Sequence, residues 1–232
     1  MAFVAVSAAL SYVKVFSLPQ GGSVTAGSMV PVIWFSLRRG PKIGIFACVL
    51  YGLVQLMVEP FVYNPVQVLL DYPIAFGALG LAGFFQKRPF LGRRTPIAID
   101  RLFAILFCVI SFALFWYELT LFRLSETLFF AWIFALSFVF LLWLEDKRRI
   151  EGGVEREKYV TPALIGATIG IFGRFVAHFV SGVVFFGSYA PKEMGPIVYS
   201  AFYNGAYIVP ELFVSAYLIY LLARSGMIEV YK

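Results

Sequence analysis

Four ionisable side chains, Asp71, Arg174, His178 and Glu211, lie inside long apolar stretches of the sequence. A charge within a membrane is costly and usually functional, so each of them is a candidate site residue. Arg174 precedes His178 by one helical turn, and Glu211 is deep enough in its own stretch to meet the guanidinium. We therefore expect Arg174 and Glu211 to form a structural pair, and we take Asp71 and His178 as candidates for binding a ligand.

The depths of the candidate residues suggest that they share one cavity. At a rise of about 1.5 Å per residue, Asp71 lies about 9 Å from the outer end of its helix and His178 about 13 Å. Tyr72 follows Asp71 directly, and Tyr199 and Asn204 fall in the first turns of the last helix. A cavity open to the outside that holds a carboxylate, an imidazole, an amide and aromatic rings suits a cationic aromatic ligand.

Each candidate also has a purely structural interpretation. Asp71 could pair with Lys14 or with a backbone group, and His178 could be a hydrogen-bonded histidine of the core. Tyr199 and Asn204 could connect neighbouring helices, as such residues often do in membrane bundles. The residues alone leave these alternatives open.

The composition places these residues in a membrane protein. Of the 232 residues, 61% are apolar and 14% are charged, against about 25% charged in a soluble domain. The mean hydropathy is +0.85. These values exclude a disordered chain, a secreted disulfide scaffold and an ordinary cytosolic enzyme. The net charge of +6 is the basic excess typical of cytoplasmic loops and does not indicate nucleic-acid binding.

Metal binding finds no support in the sequence. The cysteines Cys48 and Cys108 lie far apart in apolar runs without the spacing of metal ligands, and the chain has one histidine. We expect neither a metal site nor a cofactor.

Eight apolar runs approach the roughly 20 residues that a helix needs to cross a bilayer. Met29–Leu37 is too short to span alone, unless the preceding segment Gly21–Ser28 folds into the protein. Irregular backbone at membrane depth is tolerated where it lines a cavity, so Leu18–Ser28 is a candidate binding loop. The runs are Ala2–Ser17, Met29–Leu37, Ile43–Val58, Val66–Phe85, Leu102–Tyr117, Thr127–Leu144, Thr161–Phe186 and Pro196–Ala223.

The distribution of Lys and Arg orients these runs. With the N-terminus in the cytoplasm, the basic clusters that begin at Arg38, Lys87 and Lys147 all lie inside, and so does Arg224. The opposite loops are nearly free of basic residues. We therefore predict eight transmembrane helices with both termini in the cytoplasm.

The middle of the chain differs from its two ends. Charge-rich linkers, Lys87–Arg101 and Glu145–Lys158, enclose two runs that are dense in Phe, Leu and Trp. This pattern predicts an inserted, lipid-facing helical hairpin. The chain accordingly divides into residues 1–86 with the first four helices, residues 87–159 with the hairpin, and residues 160–232 with the last two helices.

Four stretches of the sequence resemble a known family. They are AVSAAL (Ala5–Leu10), VPVIWFSLRRG (Val30–Gly40), LLDYPIAFGALGLAGFF (Leu69–Phe85) and HFVSGVVFFGSYAPKEMGPIVYSAFYNG (His178–Gly205). These stretches are similar to the ThiT family, the thiamine-specific substrate-binding subunits, or S components, of energy-coupling factor (ECF) transporters. The similarity does not extend to the predicted hairpin.

The resemblance implies an all-α integral membrane protein with a six-helix core, to which the hairpin is added. Such a protein binds a vitamin from outside and performs no chemistry of its own. It docks on a coupling membrane subunit that two cytosolic ATPases drive. The family's small-x-x-x-small docking motif falls at Ala5 and Ala9, and two small residues one turn apart let another backbone approach closely.

The resemblance also implies a set of ligand-binding residues. Asp71 stands where the family has a glutamate, Phe186 stands where it has a tryptophan, and a tryptophan expected near Gly22 is absent. We therefore expect thiamine or a close analogue, such as a related pyrimidine or thiazole compound. The implied residues are Asp71, Tyr72, His178, Gly182, Phe186, Tyr199 and Asn204.

We predict a multi-pass cell-membrane protein that captures this vitamin outside and delivers it through the coupling subunit and the ATPases. One alternative is a stand-alone, gradient-driven transporter of the vitamin or of a thiamine precursor. Another is an intramembrane enzyme, which would need a dyad of His178 with Ser181. The sequence offers no evident oxyanion hole for that dyad.

Overall fold

A computed structural model of the chain describes residues 1–85 and 160–224. The predicted hairpin, residues 87–159, lies outside the described residues. Both ends of the chain contribute to one compact unit, which is mostly helical. Four helical segments of the described residues are long and apolar enough to cross a membrane: Pro41–Val58, Pro65–Phe85, Pro162–Phe185 and Pro196–Ala223.

The first apolar run is only partly helical. Helix α1 spans Ala2–Ser11 and is therefore about 15 Å long, half of what a bilayer requires. The prediction of one helix over Ala2–Ser17 is wrong at its C-terminal end, because the β-branched residues Val13 and Val15 favour an extended backbone. The expected all-α chain is thus corrected to a mostly helical one.

A small β-hairpin follows helix α1. Strands β1 (Lys14–Ser17) and β2 (Ser23–Thr25) pair antiparallel, with a bulge in the first strand. Val24 and Thr25 are each 3% exposed. The predicted binding loop, Leu18–Ser28, therefore folds partly into the protein ahead of the short second helix.

Helices α2 (Val30–Arg39) and α3 (Pro41–Val58) are joined by a single residue, Gly40. Its φ of 87° lies in the left-handed region, which glycine adopts without strain. Pro41 then starts α3 at the one helical position where its missing N–H costs nothing. The sharp turn brings α2 back along α3.

The fourth apolar run, Pro65–Phe85, is one continuous span with an irregular middle. It consists of α4 (Pro65–Leu69), a π-helical turn (Leu70–Ile74), α5 (Ala75–Leu79) and a final 3₁₀ segment. Pro73 lies in the π turn. Proline has no N–H and its ring displaces the carbonyl one turn back, which accounts for the local widening. Such π turns are frequent at functional sites.

Helices α6 (Val160–Phe185) and α7 (Pro196–Arg224) pack along each other and complete the unit. On another face, α6 approaches the fourth span closely. A Cβ atom on Gly170 would lie 2.8 Å from the Leu79 carbonyl oxygen. The two glycines of the Gly166-x-x-x-Gly170 spacing thus let α6 pack closely on the fourth span.

Candidate ligand-binding site

A cavity lies at the end of the unit where α3 and α6 end and where the fourth span and α7 begin. Its volume is about 140 Å³. The turn of the β-hairpin forms another part of its wall. All the residues implied as ligand-binding line this cavity: Asp71, Tyr72, His178, Gly182, Phe186, Tyr199 and Asn204. The structure thus brings together residues that the sequence places at one depth on three different spans.

Asp71 presents a partly exposed carboxylate to the cavity. Gln67 Nε2 donates a hydrogen bond to Asp71 Oδ2 at 2.6 Å, and His178 Nδ1 lies 3.0 Å from Oδ1. The Asp71 side chain is 15% exposed. Lys14, its alternative partner, forms an ion pair with Glu59 instead, so the interpretation of Asp71 as the partner of Lys14 is wrong.

His178 uses both of its ring nitrogens within the wall of the cavity. Nδ1 faces Asp71, and Nε2 accepts a hydrogen bond from Arg174 Nε at 3.3 Å. The ring also meets Tyr207 edge-on, with 6.1 Å between the centroids. Ser181 is fully buried, and its hydroxyl has no partner among the described residues. The two residues therefore do not form the dyad that an intramembrane enzyme would need.

Arg174 and Glu211 form the predicted ion pair, with 2.8 Å between Arg174 Nη1 and Glu211 Oε2. The guanidinium also lies over the Phe76 ring at 4.5 Å and touches Met29 Sδ at 2.9 Å. Glu211 accepts a further hydrogen bond from the Thr25 hydroxyl at 2.6 Å. The pair is confirmed, and Arg174 in addition reaches the cavity wall.

Tyr72 lines the cavity with its ring while its hydroxyl holds the loop after α3. That hydroxyl donates to the Glu59 carbonyl at 2.7 Å and accepts from the Phe61 backbone N–H at 2.8 Å. Both bonds tie the loop to the fourth span next to Asp71. Tyr72 therefore shapes the mouth of the cavity.

Phe186 belongs to an aromatic cluster at the end of α6. Its ring centroid lies 5.7 Å from that of Phe61, 6.0 Å from Tyr63 and 6.2 Å from Tyr189. A phenylalanine is smaller than the tryptophan that the resemblance suggests for this position. The neighbouring rings supply apolar surface around it.

Asn204 connects α6 to α7, as one of the structural interpretations predicts. Its Nδ2 donates to the Ser200 carbonyl at 2.9 Å and to the His178 carbonyl at 3.3 Å. Its Oδ1 accepts from the Tyr207 hydroxyl at 2.9 Å. The same residue lines the cavity, so the two interpretations of Asn204 are compatible.

Gly182 and Tyr199 complete the predicted set. A Cβ atom on Gly182 would clash with Ser200 Oγ and would lie 3.1 Å from Asn204 Nδ2. The glycine therefore permits the close approach of α6 to α7 beside the site. Tyr199 is 7% exposed, and its ring lies 5.7 Å from that of Tyr203.

Sequence reasoning missed several lining residues. Gln67 had two local signals, because it lies one turn before Asp71 and closes a capping box with Asn64. Tyr203 had none, since its hydroxyl bonds to the distant backbone of Gln20 and Gly21. Gln20, Gly21, Gly22 and Ser23 line the cavity as well and belong to the predicted binding loop Leu18–Ser28. The lining residues outside that loop and outside the implied set are Gln55, Glu59, Phe61, Gln67, Phe76, Arg174, Ser200, Tyr203 and Tyr207.

Two further expectations concern docking and metals. Ala5 and Ala9 are both exposed on helix α1 and lie one turn apart. Among residues 1–85 and 160–224, no group of three or more His, Cys, Asp or Glu side chains could hold a metal ion.

The fold and the site define a class of protein, the multi-pass helical membrane proteins with a polar, aromatic-lined cavity at one end of the bundle. The chain belongs to the thiamine transporter protein family (Thia_YuaJ), whose family model matches residues 1–229. This is a family of transporters and not of enzymes.

Two curated relatives are both named thiamine transporter ThiT. The one from Bacillus subtilis (strain 168) is 29% identical over 211 residues, which cover 90% of this chain and 79% of the relative. The one from Lacticaseibacillus paracasei (strain ATCC 334) is 26% identical over 181 residues, which cover 76% and 61% respectively. A solved structure of ThiT from Listeria monocytogenes matches with a TM-score of 0.63 and 21% identity, over 97% of this chain and 91% of that chain. The structural likeness shows a shared fold.

Proposed function

We propose that the protein is the substrate-binding S component of an ECF-type vitamin importer and captures thiamine or a close analogue from outside the cell. The observation that carries this proposal is the cavity in which Asp71 and His178 lie among aromatic rings, in a chain of the thiamine transporter family. The names of the two relatives support the same ligand.

The chemistry of the cavity matches the two rings of thiamine. Thiamine joins an aminopyrimidine to a positively charged thiazolium. Asp71 accepts hydrogen bonds from the amino group or neutralises the thiazolium, and charge-assisted bonds of this kind are the strong ones. The faces of His178 and Phe186 stack on the rings, since aromatic faces attract cations.

The remaining residues fix the orientation of the ligand. Tyr72, Tyr199 and Asn204 contribute two rings and an amide from two different spans. Gly182 has no side chain, which lets Ser200 and Asn204 pack against α6 beside the site. Polar groups at fixed positions among aromatic rings give a site its specificity for one small molecule.

The proposed topology has eight transmembrane helices with both termini in the cytoplasm, six in the core and two in the hairpin. Under this arrangement the end of α3 and the start of α7 face outward, because the basic cluster at Arg38 and Arg39 is cytoplasmic. The cavity lies at that outward end. The ligand would therefore enter from outside.

Delivery across the membrane is assigned to partners. The sequence contains no ATP-binding motif, so active transport draws its energy from a gradient or from a partner. We assign it to a coupling membrane subunit and two cytosolic ATPases, as the resemblance to S components implies. Ala5 and Ala9 form the contact with the coupling subunit. Their exposure on α1 is consistent with that role.

Uptake of labelled thiamine into a bacterium that lacks its own thiamine transport tests this proposal. The chain would be expressed alone and together with an ECF coupling subunit and its two ATPases. We expect cell-associated thiamine from binding in both strains and accumulation only in the second. Accumulation by the chain alone would favour a gradient-driven transporter, and conversion of thiamine by the purified protein would favour an enzyme.

A further inference from the structure

The charges around the cavity, within the described residues, form two ion pairs and one carboxylate without a cationic partner of its own. Glu59 lines the cavity but pairs with Lys14. Arg174 lines it as well and pairs with Glu211, which lies behind it and is 2% exposed. Asp71 has Gln67 and His178 as its partners, as described above. The sign of the net charge in the cavity therefore depends on whether a carboxylate neutralises the charge of Arg174.

His178 adds no charge to this balance. An arginine N–H only donates, so the Nε2 atom that faces Arg174 is an unprotonated acceptor. The single ring proton is then on Nδ1, where it is donated to Asp71. The hydrogen bonds select the neutral form of the imidazole.

The carboxylate of Glu211 is surrounded by hydrogen-bond donors. Its Oε2 accepts from Arg174, and its Oε1 accepts from the Thr25 hydroxyl at 2.6 Å and from the Thr25 N–H at 3.3 Å. All of these partners are donors, which suits a carboxylate that can only accept. Both members of the ion pair are buried, so solvent screens them weakly.

We propose that Glu211 determines the charge selectivity of the cavity without touching the ligand. With Glu211 in place, the charge of Arg174 is cancelled and the single negative charge of Asp71 selects a cation. Without Glu211, Arg174 would offset Asp71, and a cationic ligand would gain nothing over a neutral one. The inference rests on the proposed function and assigns to Glu211 the preference of that site for the positive form of its ligand.

Two ligands of nearly the same shape test this role. Thiamine carries the thiazolium charge, whereas deazathiamine has a carbon in place of the charged nitrogen and is neutral. The ratio of their dissociation constants, measured by calorimetry on the purified full chain, reports charge preference. In Glu211→Gln we expect this ratio to fall by about tenfold, because a buried unit charge near a cation is weakly screened. A structural defect alone would weaken both ligands equally.

Removal of one member of a buried ion pair can unfold a protein. A second variant therefore provides the test if Glu211→Gln does not fold. In the double variant Arg174→Gln/Glu211→Gln both charges are absent, and we expect the preference for thiamine to return to the wild-type ratio. Exposed Glu193 provides the matched control, since Glu193→Gln removes the same charge at the surface.

Two results would overturn the proposal: an unchanged ratio in folded Glu211→Gln, or a lost preference in the double variant. A wild-type protein that binds neither compound would instead contradict the proposed function itself. The two failures are therefore distinguishable.

Discussion

The carboxylate of Asp71 is oriented by two hydrogen bonds, one from Gln67 and one from His178. Each donor is fixed in turn. Gln67 Nε2 also bonds to the Phe61 carbonyl at 3.1 Å, and His178 accepts from Arg174. A group that is already ordered loses little freedom on binding, so its interaction with a ligand is realised more fully in the affinity.

Replacement of Asp71 by asparagine tests the importance of this charge. Asp71→Asn keeps the shape of the side chain and removes the charge. Since a hydrogen bond to a charged group contributes about 1.5–3 kcal/mol, the dissociation constant for thiamine should rise at least about tenfold in calorimetric titration. Glu193→Gln, on the surface, should bind as the wild type does. Equal affinity in Asp71→Asn would remove Asp71 from the site.

Four ionisable residues of the site could be predicted from the sequence because a charge in an apolar run has few explanations, whereas Glu59, which follows its run, was not predicted. Asp71, His178 and the Arg174–Glu211 pair were found in this way. Gln67 was missed because its amide carries no charge, although its position one turn before Asp71 was a local signal. The role of the Tyr203 hydroxyl could not be predicted either, since it depends on backbone atoms of the distant β-hairpin turn.

Among the elements, the contact between α6 and α7 depends on the absence of a side chain at Gly182. In Gly182→Ala, the new methyl group would clash with Ser200 Oγ and crowd Asn204. Overpacking of this kind costs about 1–3 kcal/mol, so we expect a lower melting temperature and weaker thiamine binding.

The control for this substitution is Gly205→Ala. Apart from its chain neighbours and the nearby backbone of its own helix, no described atom lies within 4 Å of a Cβ at Gly205. Because alanine favours a helix more than glycine does, this variant should be at least as stable as the wild type. If Gly182→Ala matched Gly205→Ala in both stability and binding, the close approach of the two helices would not matter to the site.

A further prediction concerns helix α1 and its contact with the coupling subunit. Ala5 and Ala9 are exposed and do not line the cavity. Leucine at both positions should therefore leave thiamine binding unchanged and abolish uptake in cells that contain the coupling subunit and ATPases, since bulky groups keep a partner backbone away. Parallel binding and uptake assays check this. Normal uptake by the double variant would exclude the motif from docking.

The regular helices were the easiest elements to predict, and the irregular ones the hardest. The apolar runs that became α3, the fourth span, α6 and α7 agree with the observed helices to within two residues at each end. Hydropathy could not show that the run Ala2–Ser17 changes to a strand after Ser11, because apolar residues serve both structures. Nor does it show that Pro73 widens the backbone into a π turn and does not end the helix.

At the scale of the whole molecule, the described part of the cavity wall is built from the two ends of the chain. Every lining residue that the structure describes lies within residues 20–76 or 174–207. Replacement of Pro89–Glu157, which includes the predicted hairpin, by a short flexible linker should therefore preserve thiamine binding in detergent. An even number of removed spans leaves the orientation of both flanking parts unchanged. A folded, shortened protein without any binding would show that the hairpin helps to form the pocket.

The central claim, that this cavity binds thiamine, is tested most directly by titration of the purified full chain with thiamine in an isothermal calorimeter. The purified sample should contain no partner subunit, and the helical fold of the protein should be verified beforehand by circular dichroism. We predict saturable binding of one thiamine per chain without ATP. A folded protein that gives no saturable heat at any thiamine concentration up to the millimolar range would contradict the claim.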